Sequence, residues 1–287
     1  MTVIIDAHQH FIDPARTDYP WLTPDLAVID RRFAPEDLAP ELAAAGVDRT
    51  ILVQTLSSPA ETGEFLATAA ATPFIAGVVG WVDLTEAGAA ASIERLRAGP
   101  GGDRLVGIRH QVHDEPDPAW LLRPDVRRGL AAVAAAGLAY DLLVRVREMP
   151  AALTVARERP DLRVVIDHLA KPPIRSGDLR DWAAQLRPFG ELEHVWCKLS
   201  GLATEADSDW RVADLAPAVE VALEVFGPSR LMFGSDWPVC LLASTYGEVA
   251  ATARALTAGL SDTERDAVFG GAAERAYRLA IPAEGIR

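Results

Sequence analysis

Short apolar runs rich in β-branched residues recur along the chain, and longer stretches with apolar positions at helical spacing separate them. The runs are residues 3–6 (VIID), 50–54 (TILVQ), 74–82 (FIAGVVGWV), 105–109 (LVGIR), 139–144 (AYDLLV), 163–167 (RVVID), 195–200 (VWCKLS) and 231–236 (LMFGSD). In the intervening segment 124–137 (PDVRRGLAAVAAAG), Val126, Leu130, Val133 and Ala134 share one helical face and Gly137 follows as a C-cap. The same grammar at 40–46 (PELAAAG) predicts a helix with Pro40 in its first turn and Gly46 at its stop.

Eight such units predict an α/β fold, a single (β/α)₈ barrel domain over residues 1–287. A doubly wound open sheet is the rival, but it more often carries a glycine-rich turn after its first strand, and DAHQHF has no glycine. No Ser-, Gly- or Pro-rich linker divides the chain. Three long excursions, residues 10–25, 110–120 and 171–178, follow strands one, four and six. Each therefore sits at the C-terminal end of the strands, the face on which barrel active sites are built.

Bulk properties narrow the partners. The 287 residues are 49% apolar and 24% charged, ordinary for a globular protein with a sizeable core. Against 41 acidic residues stand 28 basic ones, a net charge of −13 that repels nucleic acid and anionic membranes and favours a small-molecule substrate. No basic N-terminal region precedes an apolar segment, and no run approaches the roughly 18 apolar residues of a membrane span, so the expected location is the cytoplasm. Cys197 and Cys240 are too few for a disulfide framework and are expected as buried thiols. Oligomeric state is not legible.

Ionisable groups recur at the strand ends. Alternation places Asp6, His8 and His10 on one face of strand one, and strands four, six and eight end in Arg109-His110, Asp167-His168 and Ser235-Asp236-Trp237. One H-x-H pair alone reads as a hydrogen-bonded strand end. Convergence of several such groups at one level implies a polar pocket, because each would be costly to bury without partners.

Taken as a set, DAHQHF on strand one, GIRH on strand four, VIDHLAKP on strand six and FGSDWP on strand eight resemble the amidohydrolase superfamily. More narrowly they resemble its sugar-acid lactonase branch, the L-fuconolactonase and L-rhamnonolactonase type related to 2-pyrone-4,6-dicarboxylate lactonase. The resemblance implies a distorted (β/α)₈ barrel and a lactone-opening hydrolase of carbohydrate catabolism. It assigns Asp236 as general base on water, matches His168 to the strand-six histidine, and makes His8 and His10, with Asp236, the metal ligands. Strand five lacks the usual histidine and strand four carries Arg109, so two alternatives stay open: one divalent ion, zinc or manganese, or a metal-independent site. A two-metal site and an organic cofactor are not expected.

Lactone hydrolysis needs an activated water, charge stabilisation at the carbonyl oxygen and a proton for the leaving alkoxide. Asp236 supplies the first and last, while Arg109 and His168 polarise the carbonyl. Polar groups and flat apolar surface for the sugar are expected from Gln54, Trp81, His113, Lys171 and Trp237, and from Tyr19 and Trp21 in the first loop. Lys198 and Ser200 on strand seven are candidates to point inward, and His194 lies at the opposite end. The rival activity is a metal-dependent decarboxylase of an aromatic or related carboxylic acid on the same scaffold.

Overall fold

The eight apolar runs form eight parallel strands in sequential order: β1 (Ile5–Gln9), β2 (Arg49–Val53), β3 (Ile75–Gly80), β4 (Leu105–Gln111), β5 (Ala139–Leu143), β6 (Arg163–Ile166), β7 (Val195–Leu199) and β8 (Leu231–Phe233). They were located in a computed structural model that describes residues 2–280. The sheet closes between β8 and β1. The amide of Asp236 donates to the His8 carbonyl over 2.8 Å, and that of His10 to the Trp237 carbonyl over 2.7 Å. The result is a (β/α)₈ barrel.

Helices α1 (Pro35–Ala45), α2 (Pro59–Ala71), α3 (Ala89–Ala98), α4 (Pro124–Ala135), α5 (Met149–Glu158), α6 (Arg180–Leu186), α7 (Val212–Phe226) and α8 (Tyr246–Leu256) follow the strands, with α9 (Asp262–Asp266) and α10 (Ala272–Tyr277) appended. Pro35, Pro59 and Pro124 each open a helix, where a missing N–H leaves no bond unmade. Ser58 and Thr245 cap α2 and α8 by accepting the amides of Glu61 and Glu248. None of the helices described is long and apolar enough to cross a membrane.

Two expectations about local structure need correction. Helix α1 begins five residues earlier than PELAAAG suggested, so Pro40 lies inside it; Gly46 does end it, in the left-handed region at φ 67°. Strand β1 runs on past Asp6 through His8 to Gln9, with His10 just beyond its end, and its register with β2 shifts between Asp6 and Gln9. That shift breaks strict alternation. Asp6 consequently leaves the face of His8 and His10: its carboxylate accepts from the Ser235 amide (2.8 Å) and from the Tyr246 hydroxyl of α8 (3.1 Å), and burial pushes it up to about 6.

The barrel interior is layered. At the N-terminal end, Ile5, Ile51, Val79, Ala139, Val165 and Met232 pack with Ala272, Ala276 and Tyr277 of α10, which plugs that end. Above them lie four charged side chains, each at most 3% exposed: Arg109, Asp141, Asp167 and Lys198. A larger apolar cluster fills the space between strands and helices and includes Cys197 and Cys240, both free and buried.

Candidate active site

The charged layer is held by mutual pairing, the condition under which buried charges persist. The Lys198 ammonium donates to Asp141 and lies 2.9 Å from Asp167 Oδ1; Tyr277 adds a hydrogen bond to Asp141 over 2.7 Å. The Arg109 guanidinium donates to Asp167 Oδ2 over 3.1 Å and to the Gln54 carbonyl. Burial would raise the Asp167 carboxyl, but Lys198, His8 and Arg109 outweigh it and hold it well below the usual range. Asp141, which has Lys198 but neither His8 nor Arg109 and feels the Asp167 charge, is pushed by burial up to about 6 against the pull of Lys198.

On this layer stand the imidazoles. His8 Nδ1 lies 3.1 Å from Lys198 Nζ and 3.3 Å from Asp167 Oδ1, while its Nε2 lies 3.1 Å from His10 Nε2 and 3.3 Å from Arg109 Nη1. His10 donates through Nδ1 to the Val53 carbonyl over 2.8 Å. Because a carbonyl only accepts, the proton of neutral His10 is on Nδ1 and its Nε2 lone pair faces His8. Asp236 Oδ1 completes the group at 3.4 Å from His10, 3.7 Å from His8 and 3.9 Å from His168, whose Nδ1 pairs with Ser200 Oγ at 2.8 Å.

Environment sets the charge states. Burial lowers His8 well below the usual histidine range, reinforced by Lys198, and brings His168 down to about 4. Burial would raise Asp236, but His168, His10 and His8 together hold its carboxyl well below the usual range. Near neutral pH the site therefore presents the neutral imidazoles of His8 and His168 beside the Asp236 carboxylate.

The backbone that delivers these groups is unusual. His168, Leu169, Ala170 and Lys171 all have φ between 51° and 57°, and Asp236 has φ 60°. Such conformations cost roughly 1–2 kcal/mol per non-glycine residue and gather at functional sites. Two glycines make room. A Cβ on Gly201 would lie 2.6 Å from His168 Nδ1, and one on Gly234 would lie 2.9 Å from His8 Cβ.

The donor set fits a divalent cation. Two imidazole nitrogens and one carboxylate oxygen converge from His8, His10 and Asp236, each offering an atom within 4.8 Å of the others. Two neutral imidazoles plus a carboxylate, with room left for water, is the composition of an open zinc site. Asp167 stands behind His8 Nδ1, as an outer carboxylate does behind a ligating histidine.

A cavity of about 440 Å³ opens above the cluster. His10, Arg109, His168 and Asp236 reach its floor, and Trp21, His113 and Lys171 line its sides. The other expected sugar contacts lie elsewhere. Gln54 is fully buried beneath Arg109, where it donates to Gln111 Oε1 over 3.1 Å; Trp81 spends its indole N–H on His110 Nδ1 at 3.0 Å. Trp237 packs edge-on between Phe11 and Phe33, and Tyr19 is buried against Trp21 with its hydroxyl accepting from the Asp13 amide. Aromatic surface in these three residues is used for packing, as it is in most cores.

Residues not singled out from the sequence complete the wall: Gln111, Asp114, Arg145, Glu205 and the aliphatics Ile12, Leu26, Ile29, Val239 and Leu242. Gln111 ends β4 and Arg145 follows β5 by two residues, so position at a strand's C-terminal end was the available signal. Glu205 lies in an irregular turn after β7, where no pattern marks it.

A family model described as amidohydrolase matches residues 5–279, and the chain belongs to that family. It is 42% identical over 286 residues to an L-fucono-1,5-lactonase of Burkholderia ambifaria, covering 98% of both chains. It is 40% identical over 294 residues to an L-fucono-1,5-lactonase of Burkholderia multivorans, covering 98% of this chain and 97% of that one. The crystal structure of a Burkholderia multivorans amidohydrolase with bound zinc superposes with a TM-score of 0.91 at 40% identity, covering 96% of this chain and 99% of that one.

Proposed function

We infer that this chain is a lactonase that opens the ester of an L-fuconolactone-like sugar lactone to the sugar acid. The observation that carries this reading is the convergence of Asp236, His168 and Arg109 on the floor of one cavity, in a chain with full-length likeness to L-fucono-1,5-lactonases. That likeness favours hydrolysis over decarboxylation.

The residues support each proton and charge movement. Asp236, kept ionised, takes a proton from water as the oxygen attacks the lactone carbonyl carbon. Negative charge developing on the carbonyl oxygen is met by Arg109, whose guanidinium is fixed by Asp167 and the Gln54 carbonyl, and by His168. When the Ser200 hydroxyl donates to His168 Nδ1, the imidazole proton is on Nε2, the nitrogen on the side of Asp236. Collapse of the tetrahedral species breaks the ring C–O bond, and Asp236 returns its proton to the leaving alkoxide. A divalent ion held by His8, His10 and Asp236 would supply Lewis-acid polarisation of the lactone carbonyl.

The test is a pH-indicator assay against L- and D-aldonolactones, repeated after chelation and after restoring zinc or manganese. Proton release from at least one lactone is expected. Failure on every lactone in both metal states, with carbon dioxide released from a carboxylated aromatic ring, would replace this reading with the decarboxylase.

A further inference from the structure

The cavity above the catalytic cluster is divided by the order of the strands. Ile12, Trp21, Leu26 and Ile29 come from the connection after β1, and Val239 and Leu242 from that after β8. β8 and β1 are neighbours across the closing seam, and the turns Pro24–Ile29 and Val239–Leu242 pack against each other. Among these residues the one polar side-chain atom is Trp21 Nε1, already given to the Thr55 carbonyl over 3.1 Å; Thr55, which lines the cavity beside Trp21, spends its own hydroxyl on Glu61.

The facing sector follows β4 to β7 and, Leu143 apart, is polar. Gln111 and His113 stand beside Arg145, Lys171 and Glu205. Glu205 binds both cations, Lys171 at 2.7 Å and Arg145 at 3.3 Å, so its carboxylate and the two cations form a fixed set of donors and acceptors.

A ligand that satisfies both sectors carries hydroxyls along one edge and an alkyl group on the other. We propose that Leu26, Ile29, Val239 and Leu242 form a methyl-selecting wall, so that this chain prefers lactones ending in a methyl group over those ending in hydroxymethyl. The inference rests on the lactonase reading and adds the element of the substrate that this wall reads. A terminal hydroxymethyl would place its hydroxyl among four aliphatic side chains without a hydrogen-bond partner, which is unfavourable for any buried hydroxyl. An apolar pocket rejects an added hydroxyl by about 10²-fold at most, which sets the scale expected here.

Two substrate pairs differing only in the C6 hydroxyl test the wall: L-fuconolactone against L-galactonolactone, and L-rhamnonolactone against L-mannonolactone, each pair of equal ring size. The full chain is expected to show kcat/KM higher for the methyl member by about 10- to 100-fold. Leu26 and Leu242 are only half-buried, so Leu26→Asn and Leu242→Asn preserve the core while supplying a partner to a hydroxyl. Each is expected to shrink the ratio about tenfold, by lowering efficiency on the methyl lactone and raising it on the hydroxymethyl one. Equal efficiency on both members of a pair, or an unchanged ratio in both variants, overturns the wall and leaves the lactonase reading standing. Turnover of no member overturns the lactonase reading and the wall together.

Discussion

The Lys198 ammonium touches His8 Nδ1 at 3.1 Å while the Arg109 guanidinium touches the other ring nitrogen at 3.3 Å. Both groups only donate, and a neutral imidazole accepts through one nitrogen alone. Two arrangements follow. With the proton on Nε2, His8 accepts from Lys198 and donates to the His10 lone pair 3.1 Å away. With the proton on Nδ1, it donates to Asp167, and Nε2 turns a second lone pair towards His10 and Asp236. Only the second provides a cation with both imidazoles, so Lys198 and Asp167 compete over the state of a candidate metal ligand.

Removing one partner of this buried network is expected to be severe. Lys198→Met leaves Asp141 and Asp167 facing each other without their shared cation, and stability should fall by about 3–5 kcal/mol. Pairing it with Asp141→Leu should restore at least half of that loss. Denaturant titration of both variants decides it; a single variant as stable as the parent would remove the network from the account of stability.

Asp236→Asn should fold, since Asn tolerates the left-handed region as Asp does. Its kcat is expected to fall about 10²- to 10⁴-fold, the usual contribution of a general base. Full turnover on a verified lactone would take that role away from Asp236.

Zinc titrated into chelator-treated protein should bind with a stoichiometry of one. Asp167→Asn, which weakens the acceptor behind His8 Nδ1, should loosen the ion about 10- to 100-fold. Calorimetry reads both quantities without reference to activity. An affinity unmoved in the variant would show that Asp167 serves Arg109 and Lys198 alone.

Glu205→Gln should raise KM about fivefold with kcat little changed, because the side chain lies on the wall and away from the reacting groups. The substitution also has an acid signature. Burial would raise the Glu205 carboxyl, yet Lys171 and Arg145 outweigh it and hold it below its ordinary 4.5. Stability from this pairing is therefore fully present above about pH 4.5 and lost as pH falls through the lower folded-state value. Parent and variant should differ by a constant amount from pH 7 to 5 and converge below; divergence on acidification would refute the assignment.

Much of this architecture was legible in the residues themselves. Each of the eight strands grows from a β-branched run, and His8, His10, Arg109, His168 and Asp236 meet because each lies near the C-terminal end of a strand. Asp6 was misplaced because a register shift carries no signature in a one-letter string. Gln54, Trp81, Tyr19 and Trp237 were read as sugar contacts from their positions, but position does not tell which partner a side chain will find first. Glu205 and Leu242 lie in irregular turns, where only tertiary packing decides what faces the cavity. The buried Asp141 within AYDLLV did carry a signal, a lone charge in an apolar strand that demands a partner such as Lys198.

The four consecutive left-handed residues after β6 have a mechanical meaning. His168 on the floor and Lys171 on the rim are the two ends of one short turn, braced by the Lys171 amide donating to the His168 carbonyl over 2.8 Å. Floor and rim are thus joined by one short turn, and Gly201 leaves the space it packs into, since a Cβ there would strike the His168 ring. The place of the rim ammonium and the place of the floor imidazole are therefore set by one stretch of backbone.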